Sequence, residues 1–260
     1  MTGPWPIGTD DRPAIVFDVF RTLVRFDGDH VDDDTFGFLA DWLGYRGILV
    51  DDADLAARFD ATTQRHLDAA PGQPPDVEVV GVWEDVLGSL PDPRERTGAD
   101  RRDLATELAL TYRQITTRTL EVWPGTEEML AACQGVRLAI ASNTQRVYTR
   151  AELERLGLWD PFEVVVFSSD VRACKPDPAV ITTALERLAI PPHRAVYIGD
   201  NAYDDVTGAG RAGLPTVLLD RGTPVPDDVV LEEPLARVAG DDPVAAVEIA
   251  RRHLDAGPRR

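Results

Sequence analysis

Short apolar runs, helical spacing between them and one long interruption predict a doubly wound α/β sheet that carries an inserted α-helical module. Five runs stand out: Ala14–Phe17, residues 136–141, Val164–Phe167, residues 195–198 and residues 216–219. Each is rich in Val, Ile or Leu and is ended by polar residues, the pattern of a parallel strand buried on both faces. Ala236–Ala239 is a weaker sixth. From Val136 onward, stretches with helical periodicity separate the runs. Residues 146–156 keep one apolar face, and residues 178–188 bring Val180, Ile181, Ala184, Leu185 and Leu188 onto one stripe. Alternating strand and helix imply right-handed crossovers, and in such sheets ligands sit at the carboxyl ends of the strands.

The stretch over residues 25–122 is different. Amphipathic segments at 35–43, 54–67, 79–90 and 102–120 predict helices, separated by breaks such as Pro71-Gly72-Gln73-Pro74-Pro75 and Pro91-Asp92-Pro93. The chain returns at Trp123-Pro124-Gly125. Residues 1–24 and 123–260 are therefore expected to build the α/β core and residues 25–122 a helical cap. The acidic run Asp32-Asp33-Asp34 reads as a helix start, where carboxylates suit the N-terminal dipole. Trp42 and Trp83 read as cap core, and the tail from Gly257 to Arg260 as frayed.

Bulk properties exclude several functions. The 260 residues carry a net charge of −18, which argues against a nucleic-acid partner, because binding a phosphate backbone needs a basic surface. Any phosphate site must then be locally positive. Cys133 and Cys174 form neither a disulfide framework nor a metal-ligand spacing, and suit a reducing cytoplasm. Residues 1–13 lack a signal-peptide pattern, and no run approaches the ~18 apolar residues of a membrane span. His30, His66, His193 and His253 have no ligand spacing. Among 27 basic residues Lys175 is the single lysine. A point charge with a chemical task is one reason to keep an ammonium among guanidinium groups, and chance is the other.

Chemistry gathers where the strands end. The first run gives Asp18-Val19-Phe20-Arg21-Thr22, the second Ser142-Asn143-Thr144. The third is followed by Cys174-Lys175-Pro176-Asp177-Pro178, and the fourth by Gly199-Asp200-Asn201-Ala202-Tyr203-Asp204-Asp205 and Gly208-Ala209. Carboxylates, a hydroxyl and an ammonium thus converge on one sheet edge. That combination offers a carboxylate nucleophile beside a hard-cation site, since Mg²⁺ prefers oxygen ligands.

In order and spacing these segments resemble the four motifs of the haloacid dehalogenase (HAD) superfamily of hydrolases, over almost the whole chain. The resemblance implies a Rossmann-like core with a cap inserted after the first motif. It implies Asp18 as the nucleophile of a covalent aspartyl intermediate, with Ser142 and Lys175 as its catalytic partners. It places Mg²⁺ on Asp18, the carbonyl of Phe20, Asp200 and a second acid, Asp205 or, on the shorter spacing, Asp204. Phe20, Arg21 and Asn143 are candidates for contact with substrate. Arg21 stands where the family commonly has Gly, either to meet a substrate anion or to form a surface ion pair.

One departure bears on mechanism. Phosphatases of the superfamily usually carry an Asp two residues after the nucleophile, which protonates the leaving oxygen and then activates water. Here it is Phe20, and general acid–base help is worth about 10²–10⁴-fold. Members without that Asp include phosphonatases, P-type ATPases and the metal-free 2-haloacid dehalogenases, which place Tyr there. Ser142-Asn143 and Asn201-Ala202-Tyr203-Asp204 also look like dehalogenase segments, whereas Asp200 adds a carboxylate those enzymes lack. Three expectations follow: a Mg²⁺-dependent phosphatase of a small phosphorylated metabolite, a carbon–halogen hydrolase, and a catalytically weak member that binds phosphate or a partner. The substrate and the oligomeric state are not written in the sequence. Arg46, Arg58, Arg113 and Arg118 are cap arginines of suitable length to meet a substrate anion.

Overall fold

The computed structural model describes residues 10–257 apart from 33, 228 and 230. Asp33 of the acidic run, the segment before residue 10 and the tail from Pro258 lie outside the described residues. A six-stranded parallel sheet is built from β1 (Ala14–Phe17), β4 (Arg137–Ser142), β5 (Val164–Phe167), β6 (Ala195–Gly199), β7 (Thr216–Asp220) and β8 (Ala236–Ala239), in the order β5-β4-β1-β6-β7-β8. The helices of this layer are α5 (Thr126–Ala131), α6 (Arg146–Arg155), α7 (Ser168–Val171), α8 (Ala179–Leu188) and α9 (Gly208–Arg211), which lie between strands, and α10 (Pro243–Ala256), which follows the last one. This is the doubly wound α/β architecture that the apolar runs predict.

The period-2 alternation of β1 sends successive side chains to opposite layers. Ile15 and Phe17 pack with Met129, Leu153, Val247 and Ala250 on the face covered by α5, α6 and α10. Val16 packs with Tyr197, Val180, Ile181, Ala184 and Leu185 under α8. Asp18 continues the parity of Val16 and so lies on the α8 side. Phe17 pairs with both Ile140 and Ile198, and the Asp18 N–H extends the ladder to the Ile198 carbonyl at 3.0 Å. This register puts Asp18, Ser142 and Asp200 at neighbouring strand ends.

Between β1 and α5 the chain forms β2 (Val24–Asp27), the helices α1 (Thr35–Gly44), α2 (Asp52–Asp68), α3 (Val79–Gly88) and α4 (Gly98–Ile115), and β3 (Thr119–Val122). Leu39, Leu43, Leu55, Trp83, Val86 and Leu108 make a separate apolar core among the four helices, which Tyr148 of α6 joins. The helix expected over 102–120 stops earlier. Three β-branched threonines follow Ile115, and two of them cap the end: Thr116 donates to the Tyr112 carbonyl at 2.9 Å and Thr117 to the Arg113 carbonyl at 2.6 Å. Leu120 instead sits in β3, which pairs antiparallel with β2, so that both chain crossings form one ribbon.

Side chains tie this helical layer to the sheet. The Arg113 guanidinium of α4 donates to Glu152 of α6 at 2.7 Å, both nearly buried. Gln145 accepts from the Val79 N–H at 2.9 Å and donates to the Val77 carbonyl at 3.0 Å. The other cap arginines go elsewhere: Arg46 stacks on Trp42 and meets Glu107, Arg58 pairs with Asp54, and Arg118 is exposed.

Candidate active site

Asp18, Phe20, Arg21, Ser142, Asn143, Lys175, Asp200, Asp204 and Asp205 all line one cavity of about 160 Å³ at the carboxyl edge of the sheet. Larger surface cavities lie elsewhere, including one of about 610 Å³ between α4 and α6, and contain none of these carboxylates.

Lys175 is the hub of one end. Its Nζ donates to Asp18 Oδ1 at 2.6 Å, to Asp205 Oδ1 at 2.6 Å and to the Tyr197 hydroxyl at 2.7 Å, which uses all three ammonium protons. The Tyr197 hydroxyl in turn donates to the Ala141 carbonyl at 2.6 Å. Burial alone would lower the lysine pKa, but Asp18 and Asp205 outweigh it and hold the ammonium well above its ordinary value. Burial pushes Asp18 the other way, up to about 7, with Asp205 and Asp200 adding to it against the pull of Lys175.

Asn143 supports Lys175 through the backbone: its Oδ1 accepts the Lys175 N–H at 2.7 Å and its Nδ2 donates to the Lys175 carbonyl at 3.1 Å. Its amide is therefore occupied in placing the lysine. Phe20 turns its ring onto Phe26, with centroids 4.6 Å apart, and the Arg113 guanidinium lies 5.4 Å from it. Ser142 is buried at the end of β4.

The two candidate second acids separate clearly. Ala202–Thr207 winds as a π-helix, a wide turn that accommodates one extra residue. Asp205 is thereby brought under Gly199 and accepts the Asn201 N–H at 2.9 Å, while Asp204 accepts from the Asn201 side chain at 2.9 Å. A Cβ at Gly199 would fall 2.2 Å from Asp205 Oδ2, so the close approach requires glycine. Burial raises Asp204 to about 6.

The other end of the cavity centres on Asp200, also raised by burial and by Asp205. Arg21 Nε donates to Asp200 Oδ2 at 3.1 Å and to Thr223 Oγ1 at 3.0 Å, and its Nη2 donates to the Arg221 carbonyl at 2.9 Å. The Thr223 hydroxyl donates to the same Asp200 oxygen, and Thr22 donates to the other at 3.4 Å. Arg21 adopts φ 61°, the left-handed region that favours glycine, so its backbone gives no reason for an arginine and only its side-chain contacts do. Arg221 stacks on Trp123 at 3.9 Å, and its guanidinium nitrogens are buried without a hydrogen-bond partner among the described residues. Tyr197, Thr22, Thr223 and Arg221 escaped the sequence reading. Each belongs to the site through a partner far along the chain, and only the placement of Tyr197 three residues before Asp200 offers a local signal.

Oxygens of Asp18, Asp200 and Asp205 lie within 4.8 Å of one another. Oxygens opposite each other around Mg²⁺ stand about 4.2 Å apart at its ligand distance of ~2.1 Å, so the three buried acids fit a small hard cation after a slight contraction.

Residues 89–219 match the family model described as haloacid dehalogenase-like hydrolase. The chain belongs to this family. Among curated relatives, the glyceraldehyde 3-phosphate phosphatase of Methanopyrus kandleri is 38% identical over 88 residues, 34% of this chain and 38% of that protein. The ribulose-1,5-bisphosphate 5-phosphatase of Halopiger xanaduensis is 35% identical over 126 residues, 48% of this chain and 53% of that one. The matches thus span about half or less of these relatives. A 2-haloacid dehalogenase structure from Pseudomonas syringae superposes with a TM-score of 0.64 at 22% identity, covering 93% of this chain and 99% of that one. A HAD phosphatase from Thermococcus onnurineus gives a TM-score of 0.53 at 22% identity, covering 95% and 100%. At such identities both establish the HAD-like fold alone. Among the described residues, no helix is long and apolar enough to cross a membrane.

Proposed function

We propose that this HAD-like protein is a Mg²⁺-dependent phosphatase of a small phosphorylated metabolite that works through an aspartyl-phosphate on Asp18. The observation that carries this is the Lys175–Asp18 contact at 2.6 Å inside a buried cavity that also gathers Asp200 and Asp205. Lys175 holds Oδ1 of Asp18, which leaves Oδ2 to attack phosphorus. The bond to the leaving oxygen breaks as the Asp18–phosphorus bond forms, and water then hydrolyses the acyl phosphate. Lys175, with Ser142 beside it, offsets negative charge on the phosphoryl oxygens. Asp18, the Phe20 carbonyl, Asp200 and Asp205 would hold Mg²⁺, which when bound supplies further charge neutralisation. Phe20 cannot protonate the leaving oxygen, so solvent or a substrate with a good leaving group must meet that need. The cavity volume of about 160 Å³ suits a phosphoryl head rather than a whole metabolite.

A second reading, hydrolysis of a carbon–halogen bond, is favoured by the aromatic Phe20 and by the ion pair that already neutralises Asp200. Turnover of acetyl phosphate and p-nitrophenyl phosphate with and without Mg²⁺, beside halide release from 2-chloropropionate, separates the two. Metal-dependent turnover of acetyl phosphate, whose leaving group needs no acid, is the expected result. Metal-independent halide release with no phosphatase activity establishes the second reading. A folded protein inactive on all three is a phosphate- or partner-binding member of the family.

A further inference from the structure

Arg21 sits where a metal ligand should be free. Asp200 is nearly buried, and its Oδ2 already accepts from Arg21 Nε and from the Thr223 hydroxyl, while Oδ1 faces the Thr22 hydroxyl. A cation reaching Asp200 must therefore compete with a guanidinium of the same chain. The two cations lining the cavity differ in how readily they can yield. Lys175 has a side chain only 2% exposed, and three partners consume its protons. The Arg21 side chain is 42% exposed at the cavity mouth, so it can leave Asp200 without being dragged through protein.

Its local geometry also points to a task. A left-handed backbone at a residue with a long side chain is disfavoured unless that side chain gains something in return. Here the gain is three hydrogen bonds that place the guanidinium between Asp200 and the open cavity. Close behind, Arg221 adds a second guanidinium whose nitrogens have no acceptor among the described residues. Two guanidinium groups thus stand at the Asp200 end of a cavity whose other carboxylates, Asp18 and Asp205, are already held by Lys175. That arrangement weakens attraction for a second cation and strengthens it for an anion.

We propose that Arg21 is a resident counter-cation on Asp200 which a phosphoryl ligand draws away, so that Mg²⁺ and the anion bind the cavity synergistically. A phosphate offers a guanidinium several charged acceptors at once, against the single carboxylate oxygen it holds in the free protein. When Arg21 turns to the phosphate, Asp200 Oδ2 is released to the metal, and by linkage the metal raises phosphate affinity by the same factor. Arg21 is in this sense a positioning residue, acting on the metal through Asp200. The proposal rests on the reading of the cavity as a Mg²⁺ and phosphoryl site.

The test is calorimetric titration of Mg²⁺ into the 260-residue protein, with and without saturating inorganic phosphate, for the wild type, Arg21→Gly and Arg21→Lys. Glycine suits the positive φ, and circular dichroism verifies that each variant is folded. Wild type should bind Mg²⁺ about tenfold tighter when phosphate is present, within the usual range of coupling between sites. Arg21→Gly should bind Mg²⁺ several-fold tighter than wild type without phosphate and lose most of the phosphate gain; Arg21→Lys should fall between. Equal Mg²⁺ affinity and equal phosphate gain in wild type and Arg21→Gly would overturn the role of Arg21 and leave the metal reading standing. No Mg²⁺ binding in any variant, with or without phosphate, would overturn both.

Discussion

The two ends of the cavity balance their carboxylates in different ways. At the inner end one buried ammonium serves Asp18, Asp205 and Tyr197 together. At the outer end a half-exposed guanidinium shares Asp200 with two threonine hydroxyls. The charges are alike, but solvent access is not. A sealed ion cluster fixes geometry and is costly to break, because removing one partner strands the others away from water. An ion pair at the mouth contributes little to stability and can exchange partners. The cavity thus joins a rigid chemical end to a replaceable binding end.

The sharpest way to break the inner end is Asp18→Asn. It should lower acetyl phosphate turnover by about 10⁴-fold or more, since the amide cannot form the covalent intermediate. The melting temperature should change little, because the amide oxygen can still accept from Lys175, which keeps Asp205 as its charged partner, while a buried carboxyl with a raised pKa is removed. Near-normal turnover would refute the covalent route. Next comes the contrast between Lys175→Met and Arg21→Gly in urea unfolding at pH 8. The first should cost about 3–5 kcal/mol by leaving Asp18 and Asp205 without their cation. The second should stay within about 1 kcal/mol of wild type, because Asp200 keeps the Thr22 and Thr223 hydroxyls when the half-exposed guanidinium is lost and an unfavourable φ is relieved. Comparable losses at the two positions would erase the distinction between the two ends.

The pH dependence of the metal-free protein offers a third test. Asp18 is raised from 3.8 to about 7 and Asp204 to about 6, with Asp200 moved in the same direction. From about pH 4 to 7 the folded protein therefore binds more protons than the unfolded chain, so the contribution of these groups to stability declines as pH rises. Melts in EDTA should show this decline, and added Mg²⁺ should stabilise more at pH 8 than at pH 5. Stability in EDTA that climbs steadily from pH 5 to 8 would contradict it. The smallest effect belongs to Tyr197→Phe, which deletes the hydroxyl between Lys175 and the Ala141 carbonyl. It should cost about 1 kcal/mol and a few-fold in turnover.

The inner end was the more legible in sequence. Asp18, Ser142 and Asp200 each end an apolar run, and parallel register carries strand ends to one edge whatever the loops do. Lys175 stood out as the single lysine. The outer end depended on contacts between residues about 180–200 positions apart, such as Arg21 with Asp200 and Thr223, which no local pattern encodes. Asn143 shows the same limit differently: a polar residue at a strand end was visible, but its attachment to the Lys175 backbone required the fold. The β2–β3 ribbon was missed because four-residue strands leave almost no periodicity, and Leu120 extended an apolar stripe that Thr116 and Thr117 had already closed.

That ribbon has a further consequence. Asp27 and Thr119 stand opposite each other across it, so the two points where the chain leaves and re-enters the sheet layer are direct neighbours. A short hairpin turn has the reach to join them. The intervening helices are thus attached like a cassette on a two-stranded stem, and a module of another size could be spliced at the same pair without altering the register that aligns the strand ends. The helical layer can then change in size while the chemical edge is inherited whole.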